Sequence, residues 1–174
     1  MTEGLDATTV LRAFNARGVR YVVIGAFAAI AAGAPLEPTF DIDFTPEASR
    51  ENLDRLSLAL TDLGARIRAE GVPEGLPFSH DGASLGAASI WNLVCDAAVF
   101  DIAFRPSGFA GGYDDLSQRA RAIVVDGVPT QIADLADVVA SKRAAGRPKD
   151  IAVLAVLEAF LEIRRDEPES GEVS

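Results

Sequence analysis

Two short segments place acids where apolar residues are expected. Phe40-Asp41-Ile42-Asp43-Phe44 and Phe100-Asp101-Ile102-Ala103-Phe104 are near copies of one another. In an extended strand, successive side chains point to opposite faces. Phe40, Ile42 and Phe44 therefore share one face, and Asp41 and Asp43 share the other, with Cβ atoms roughly 6–7 Å apart. The same alternation sends Phe100, Ile102 and Phe104 toward a core and Asp101 the opposite way. If the two strands are sheet neighbours, three carboxylates converge. Such a cluster repels itself unless a cation neutralises it. Oxygen-only donors favour a hard ion, Mg²⁺ or Mn²⁺. Ions held in this way activate a nucleophile and stabilise charge on a transferring phosphoryl group. The alternative is a sheet face open to water, where acids are routine.

Two further segments bear on that chemistry. Gly25 ends an apolar strand where a helix begins, so backbone N–H groups there could meet a phosphate, although close packing explains a glycine equally well. Lys142, Arg143, Arg147 and Lys149 are four of the 16 basic residues in a chain of net charge −10, and all fall within Ser141–Asp150. Gly146 ends one helix and Pro148 opens the next. The cations therefore sit at a helix–helix corner able to grip a triphosphate, or else form a solvated basic turn.

Composition narrows the classes. The chain has 174 residues, 49% of them hydrophobic, enough for one domain with a sizeable core. Residues 1–165 are expected to form that domain, and 166–174, charged and rich in small residues, a disordered tail. No apolar run reaches the ~18 residues of a membrane span, and the N-terminus lacks the basic region of a signal peptide. Cys95 is alone, so no internal disulfide forms, and a reducing cytoplasm is the expected setting. The charge of −10 argues against an extensive nucleic-acid surface. His80 reads as an ordinary loop residue.

The elements that must position these residues follow from periodicity. Residues 6–17 predict a helix, 20–25 a buried strand, 26–33 a short helix, and 40–44 the next strand. Thr45-Pro46-Glu47 predicts a helix start, with Leu53, Leu56, Leu60 and Leu63 on its buried face. Residues 70–84 read as a mobile loop. Segments 89–94 and 99–104 predict a hairpin, as do the strands flanking Asp126-Gly127. Residues 134–145 predict a helix. The final helix, from Pro148, is apolar nearly all round and expected to be largely buried.

With these pieces in order, the chain resembles the nucleotidyltransferase superfamily, and most closely its AbiEii/MenT-like branch. The likeness spans roughly residues 10–160. It is carried by GVRYVVIGAFA (18–28), by Asp41-Ile42-Asp43 preceded by Thr39, by Asp101, and by SKRAAGRPKD (141–150). The resemblance implies an α+β fold: a mixed β-sheet packed by helices, with C-terminal helices. It implies Mg²⁺-dependent transfer of a nucleoside monophosphate from an NTP to a hydroxyl acceptor. Asp41, Asp43 and Asp101 would hold the metal, and Asp101 would help deprotonate the acceptor. Gly25, Ala26, Thr39, Lys142, Arg147, Lys149 and Asp150 would form the nucleotide site. The acceptor (RNA, protein or small molecule) stays open, and a toxin–antitoxin role with a cognate partner protein follows from the same likeness. Ala26, where a small polar residue or glycine is usual, and Glu37, where arginine is frequent, keep a second reading open: a catalytically degenerate nucleotide-binding or partner protein. Asp41-Ile42-Asp43-Phe44-Thr45 also matches the DxDxT motif of haloacid-dehalogenase-like phosphatases. That motif is expected on a first strand.

Overall fold

The computed structural model describes residues 5–167, so the tail expected from 166 lies outside the described residues from 168 onward. The chain runs α1 (Ala7–Ala16), β1 (Tyr21–Ile24), α2 (Gly25–Ala31), β2 (Asp41–Pro46), α3 (Arg50–Leu63), β3 (Arg66–Ala69), β4 (Val72–Leu76), α4 (Gly82–Gly86), β5 (Ile90–Val94), β6 (Val99–Ala103), α5 (Tyr113–Leu116), β7 (Arg121–Val125), β8 (Val128–Ile132), α6 (Leu135–Ala145) and α7 (Pro148–Asp166). The eight strands form one sheet in the order β4-β3-β5-β6-β2-β1-β8-β7. It is mixed: β2 pairs parallel with β6 and β1 parallel with β8, and the remaining neighbours are antiparallel. This is the α+β, helix-covered mixed sheet expected from the sequence.

Alternation divides the two faces. Ile42, Phe44, Phe100 and Ile102 are fully buried. Phe14 of α1 lies 4.5 Å from Phe44 and 6.3 Å from Phe100, ring centre to ring centre, and α3 packs on α1. Burying one large apolar side chain contributes about 1.5–3 kcal/mol, so this face holds the register of β2 against β6. A slip of one residue would turn every acid inward. The opposite face of β2 and β6 carries the acids, and α2, α6 and α7 border it.

Four expectations are corrected. Thr45 and Pro46 do not start α3. They extend β2, paired with Val22 and Tyr21. Ser49 caps α3 instead, accepting from Asn52 N–H at 3.3 Å. Buried Asn52 locks the connection by accepting from Arg20 N–H and donating to the carbonyls of Arg20 and Glu47. Residues 70–84 contain β4 and α4 rather than a mobile loop. Pro73 and Gly75 resemble breakers, but β4 is an edge strand and needs only one ladder of hydrogen bonds. Phe40 is 78% exposed, because β2 begins one residue later. Finally, α7 buries only Asp150 and Leu157 of its 19 residues, with Ile151 and Ile163 each 59% exposed. Its Ile, Val, Leu and Phe residues make the segment apolar in composition, but it lacks a partner on every side.

Candidate active site

The parallel pairing of β2 with β6 sets Asp43 directly opposite Asp101, and Asn92 of β5 lies opposite Asp101 on the other side. Asp41 stands two residues before Asp43 on the same face. One carboxylate oxygen from each of Asp41, Asp43 and Asp101 lies within 4.8 Å of the others. All three side chains are half-buried at the floor of a cleft of about 530 Å³.

Gly25 borders this centre for a specific reason. Its φ is +78°, a conformation that L side chains rarely adopt, and a Cβ there would lie 2.3 Å from Asp43 Oδ2. The missing side chain makes room for the second acid. Thr39 supports the first: its hydroxyl donates to Asp41 Oδ1 at 3.0 Å. Ala26, in the first turn of α2, lines the cleft and offers it no polar side-chain atom.

The basic corner faces the same cleft. Gly146 caps α6 with φ +61°, a left-handed turn that suits glycine, and Pro148 starts α7. Lys142, Arg147 and Lys149 all line the cleft. Asp150 is fully buried beneath two of them: Lys142 Nζ lies 3.5 Å from Oδ1, and Arg147 Nε donates to Oδ2 at 2.7 Å. Burial opposes ionisation of Asp150, but Arg147 and Lys142 outweigh it and hold the carboxyl below its ordinary range. Asp150 therefore organises the corner from behind. Lys149 is exposed and makes no ion pair among the described residues. Arg143 points elsewhere, pairing with Glu158.

The electrostatics are those of a centre short of positive charge. Burial, then repulsion from Asp41 and Asp101, pushes Asp43 up to about 7, and Lys142 only partly counters this. Burial also raises Asp101, against the opposing pull of Arg68. The donor set fits a hard divalent cation: three carboxylate oxygens close together and partly desolvated, with the ionisation of Asp43 opposed by burial and by its acidic neighbours.

Sequence reasoning missed three contributors. Arg68 of β3 reaches across β5 to pair with Asp101. Asn92 and Arg105 line the cleft. The available signal was Arg66-Ile67-Arg68, a charged alternation like that of the acids, hidden because only a loop was expected to follow it. A second cavity of about 570 Å³ adjoins the cleft, sharing Ala26, Thr39, Asp41 and Val153 with it. Arg68, Phe40 and Glu37 line this cavity, so Glu37 does not face the cleft. The DxDxT segment sits on the second strand of the chain, not on the first as the phosphatase reading requires.

No protein-family model matches the chain, and no curated protein matches it significantly. Solved structures do match. The solution structure of the antibiotic-resistance factor ANT(2'')-Ia superposes with a TM-score of 0.58 at 16% identity, over 91% of this chain and 84% of that one. The crystal structure of ANT(2'')-Ia in complex with adenylyl-2''-tobramycin gives 0.55 at 15% identity, over 91% and 89%. The lincomycin-bound lincosamide antibiotic adenylyltransferase LnuA gives 0.58 at 14% identity, over 91% and 99%. The acids and the basic corner thus stand on a nucleotidyltransferase fold.

Proposed function

We propose that this protein is a nucleotidyltransferase of the AbiEii/MenT-like branch, moving a nucleoside monophosphate from an NTP to a hydroxyl acceptor with Mg²⁺ or Mn²⁺. The observation that carries the reading is the convergence of Asp41, Asp43 and Asp101 in one cleft with Lys142, Arg147 and Lys149. Anionic donors for cations and cationic donors for a polyphosphate are the two halves such a reaction needs.

Asp41, Asp43 and Asp101 would hold the divalent ions, which would neutralise charge on the reacting phosphate. Lys142 and Lys149 contact the triphosphate, and Arg147 supports them. Asp150 keeps Lys142 and Arg147 in place. Gly25 admits Asp43 and lets the chain run close to the nucleotide, with Ala26 beside it. Thr39 orients Asp41. Asp101 takes the proton of the acceptor hydroxyl. The acceptor oxygen bonds to the α-phosphorus, the bond from that phosphorus to the β-phosphate oxygen breaks, and pyrophosphate leaves. The acceptor is RNA, a protein hydroxyl or a small molecule. ANT(2'')-Ia with its adenylyl-2''-tobramycin and LnuA with lincomycin are small-molecule examples on this fold. A cytoplasmic toxin–antitoxin component is the biological setting in keeping with that branch. Cys95, buried and unpaired, accords with a reducing compartment, and no described helix is long and apolar enough to cross a membrane.

The Arg68–Asp101 pair favours one alternative, a degenerate protein that binds nucleotide or a partner without chemistry, since the third acid is already matched by a cation. Calorimetry with each NTP, with and without Mg²⁺ or Mn²⁺, tests the proposal. Ion-dependent binding that Asp41→Ala abolishes, with pyrophosphate released on turnover, is the expected outcome. Binding without turnover points to the degenerate protein. Absence of binding by all four nucleotides overturns the nucleotide site, and release of inorganic phosphate points to the phosphatase chemistry.

A further inference from the structure

We infer that Arg68 is an exchangeable counter-cation of the acidic centre, neutralising Asp101 in the ion-free chain and giving it up when a divalent ion loads. The inference rests on the metal-binding reading above and concerns how that site is regulated.

Asp101 faces two other carboxylates, with one oxygen of each within 4.8 Å. Its ion-pair partner is the Arg68 guanidinium, which arrives from two strands away. Two other cations at the cleft behave differently. Lys142 and Arg147 are tied to Asp150, a buried carboxylate outside the acidic trio. Among the described residues, the one carboxylate within ion-pair distance of Arg68 is a member of the trio itself. An ion that takes Oδ1 of Asp101, the oxygen Arg68 holds, breaks that pair, whereas the partner of Lys142 and Arg147 lies outside the trio.

Release has a route. The Arg68 side chain is 35% exposed and lines the second cavity beside Phe40 and Asp41. A freed guanidinium can turn into this cavity and stay solvated. Loss of a partly exposed pair costs little on its own. The exchange is therefore reversible, and its cost is charged to the affinity for the ion. A free divalent ion binds more weakly than three converging carboxylates would otherwise allow.

The test is Mn²⁺ titration of the full chain by calorimetry at pH 8, without nucleotide. Arg68→Gln is expected to bind Mn²⁺ about three- to tenfold more tightly than the parent. Arg66→Gln removes the same charge from the same strand, but its partner is Asp96, and it is expected to change affinity less than about twofold. Adding Asp101→Asn to Arg68→Gln should cancel the gain. A misfolded variant cannot imitate tighter binding. Unchanged or weaker binding by Arg68→Gln overturns the inference while leaving the metal site intact, and an equal gain from Arg66→Gln reduces the effect to net charge and overturns it too. If neither the parent nor Arg68→Gln binds Mn²⁺, the acidic centre is not a metal site and both readings fall.

Discussion

The carboxylate of Asp43 occupies the space a side chain at position 25 would need: a Cβ on Gly25 would lie 2.3 Å from Asp43 Oδ2. The strand-ending glycine and the second acid of Asp41-Ile42-Asp43 are thus one structural unit. Gly25→Ala meets two costs, a left-handed backbone at about 1–2 kcal/mol and displacement of Asp43. The expected result is a lower urea midpoint together with loss of the Mn²⁺-induced rise in melting temperature. A variant that keeps the full Mn²⁺ response would show that Asp43 does not depend on this gap.

Asp43→Asn should raise the stability of the ion-free chain. A carboxyl whose folded pKa of about 7 exceeds its ordinary 3.8 favours the fold only while protonated. Its contribution is full below pH 4 and is lost as pH climbs through 7, at ~1.4 kcal/mol for each pH unit between the two values. The neutral amide escapes that loss. Asp43→Asn is expected to melt above the parent at pH 8, to converge with it near pH 4, and to ignore Mn²⁺. Parallel melting curves for the two proteins across that range would contradict the assignment.

Ion uptake should displace the Asp43 proton. At pH 6 the ion-free centre holds that proton, so binding of Mn²⁺ is expected to release about one proton, and at pH 8 much less than one. Affinity should climb with pH up to about 7 and level off above it. Calorimetry in two buffers of different ionisation enthalpy measures the release directly. A pH-independent affinity would place the ion elsewhere.

Lys142→Ala should weaken NTP binding more at 50 than at 300 mM salt, by about tenfold at the lower value, since a charge–phosphate contact is screened. Arg164→Ala is the control, because its side chain lies at the other end of α7 and donates to the Ala32 carbonyl. Equal losses in the two variants would remove Lys142 from the nucleotide site.

Asp150→Ala should disturb more than affinity. It takes the buried partner away from Lys142 and Arg147 at once. Destabilisation of about 3 kcal/mol is expected, in keeping with breaking a buried ion pair. Chemical denaturation measures it, and a change below about 0.5 kcal/mol would mean that the corner holds together without its anchor.

Much of this site was legible because it is local. The period-two alternation in residues 40–44 and 100–104, the strand-ending Gly25, the Asp126-Gly127 hairpin and the Gly146/Pro148 corner depend on a few neighbouring residues and on backbone preferences, so one dimension suffices to read them. Local signals also misled where context outweighed them. Pro46 resembles a helix start, yet pairing with Tyr21 keeps it in a strand. Pro73 and Gly75 resemble a loop, yet an edge strand tolerates both. The apolar run of α7 implies burial, which requires partners on all sides, and α7 lacks them.

By itself, then, the sequence determined that Asp41 and Asp43 share a face and that the chain turns at Asp126-Gly127 and at Gly146. Only the tertiary structure decided that β2 and β6 are parallel neighbours, which puts Asp43 opposite Asp101, and that Arg68 arrives from β3 to neutralise it. Strand order joins segments distant in the chain through backbone hydrogen bonds common to all residue types but proline, and a pattern that repeats every two residues carries no record of which strand lies alongside.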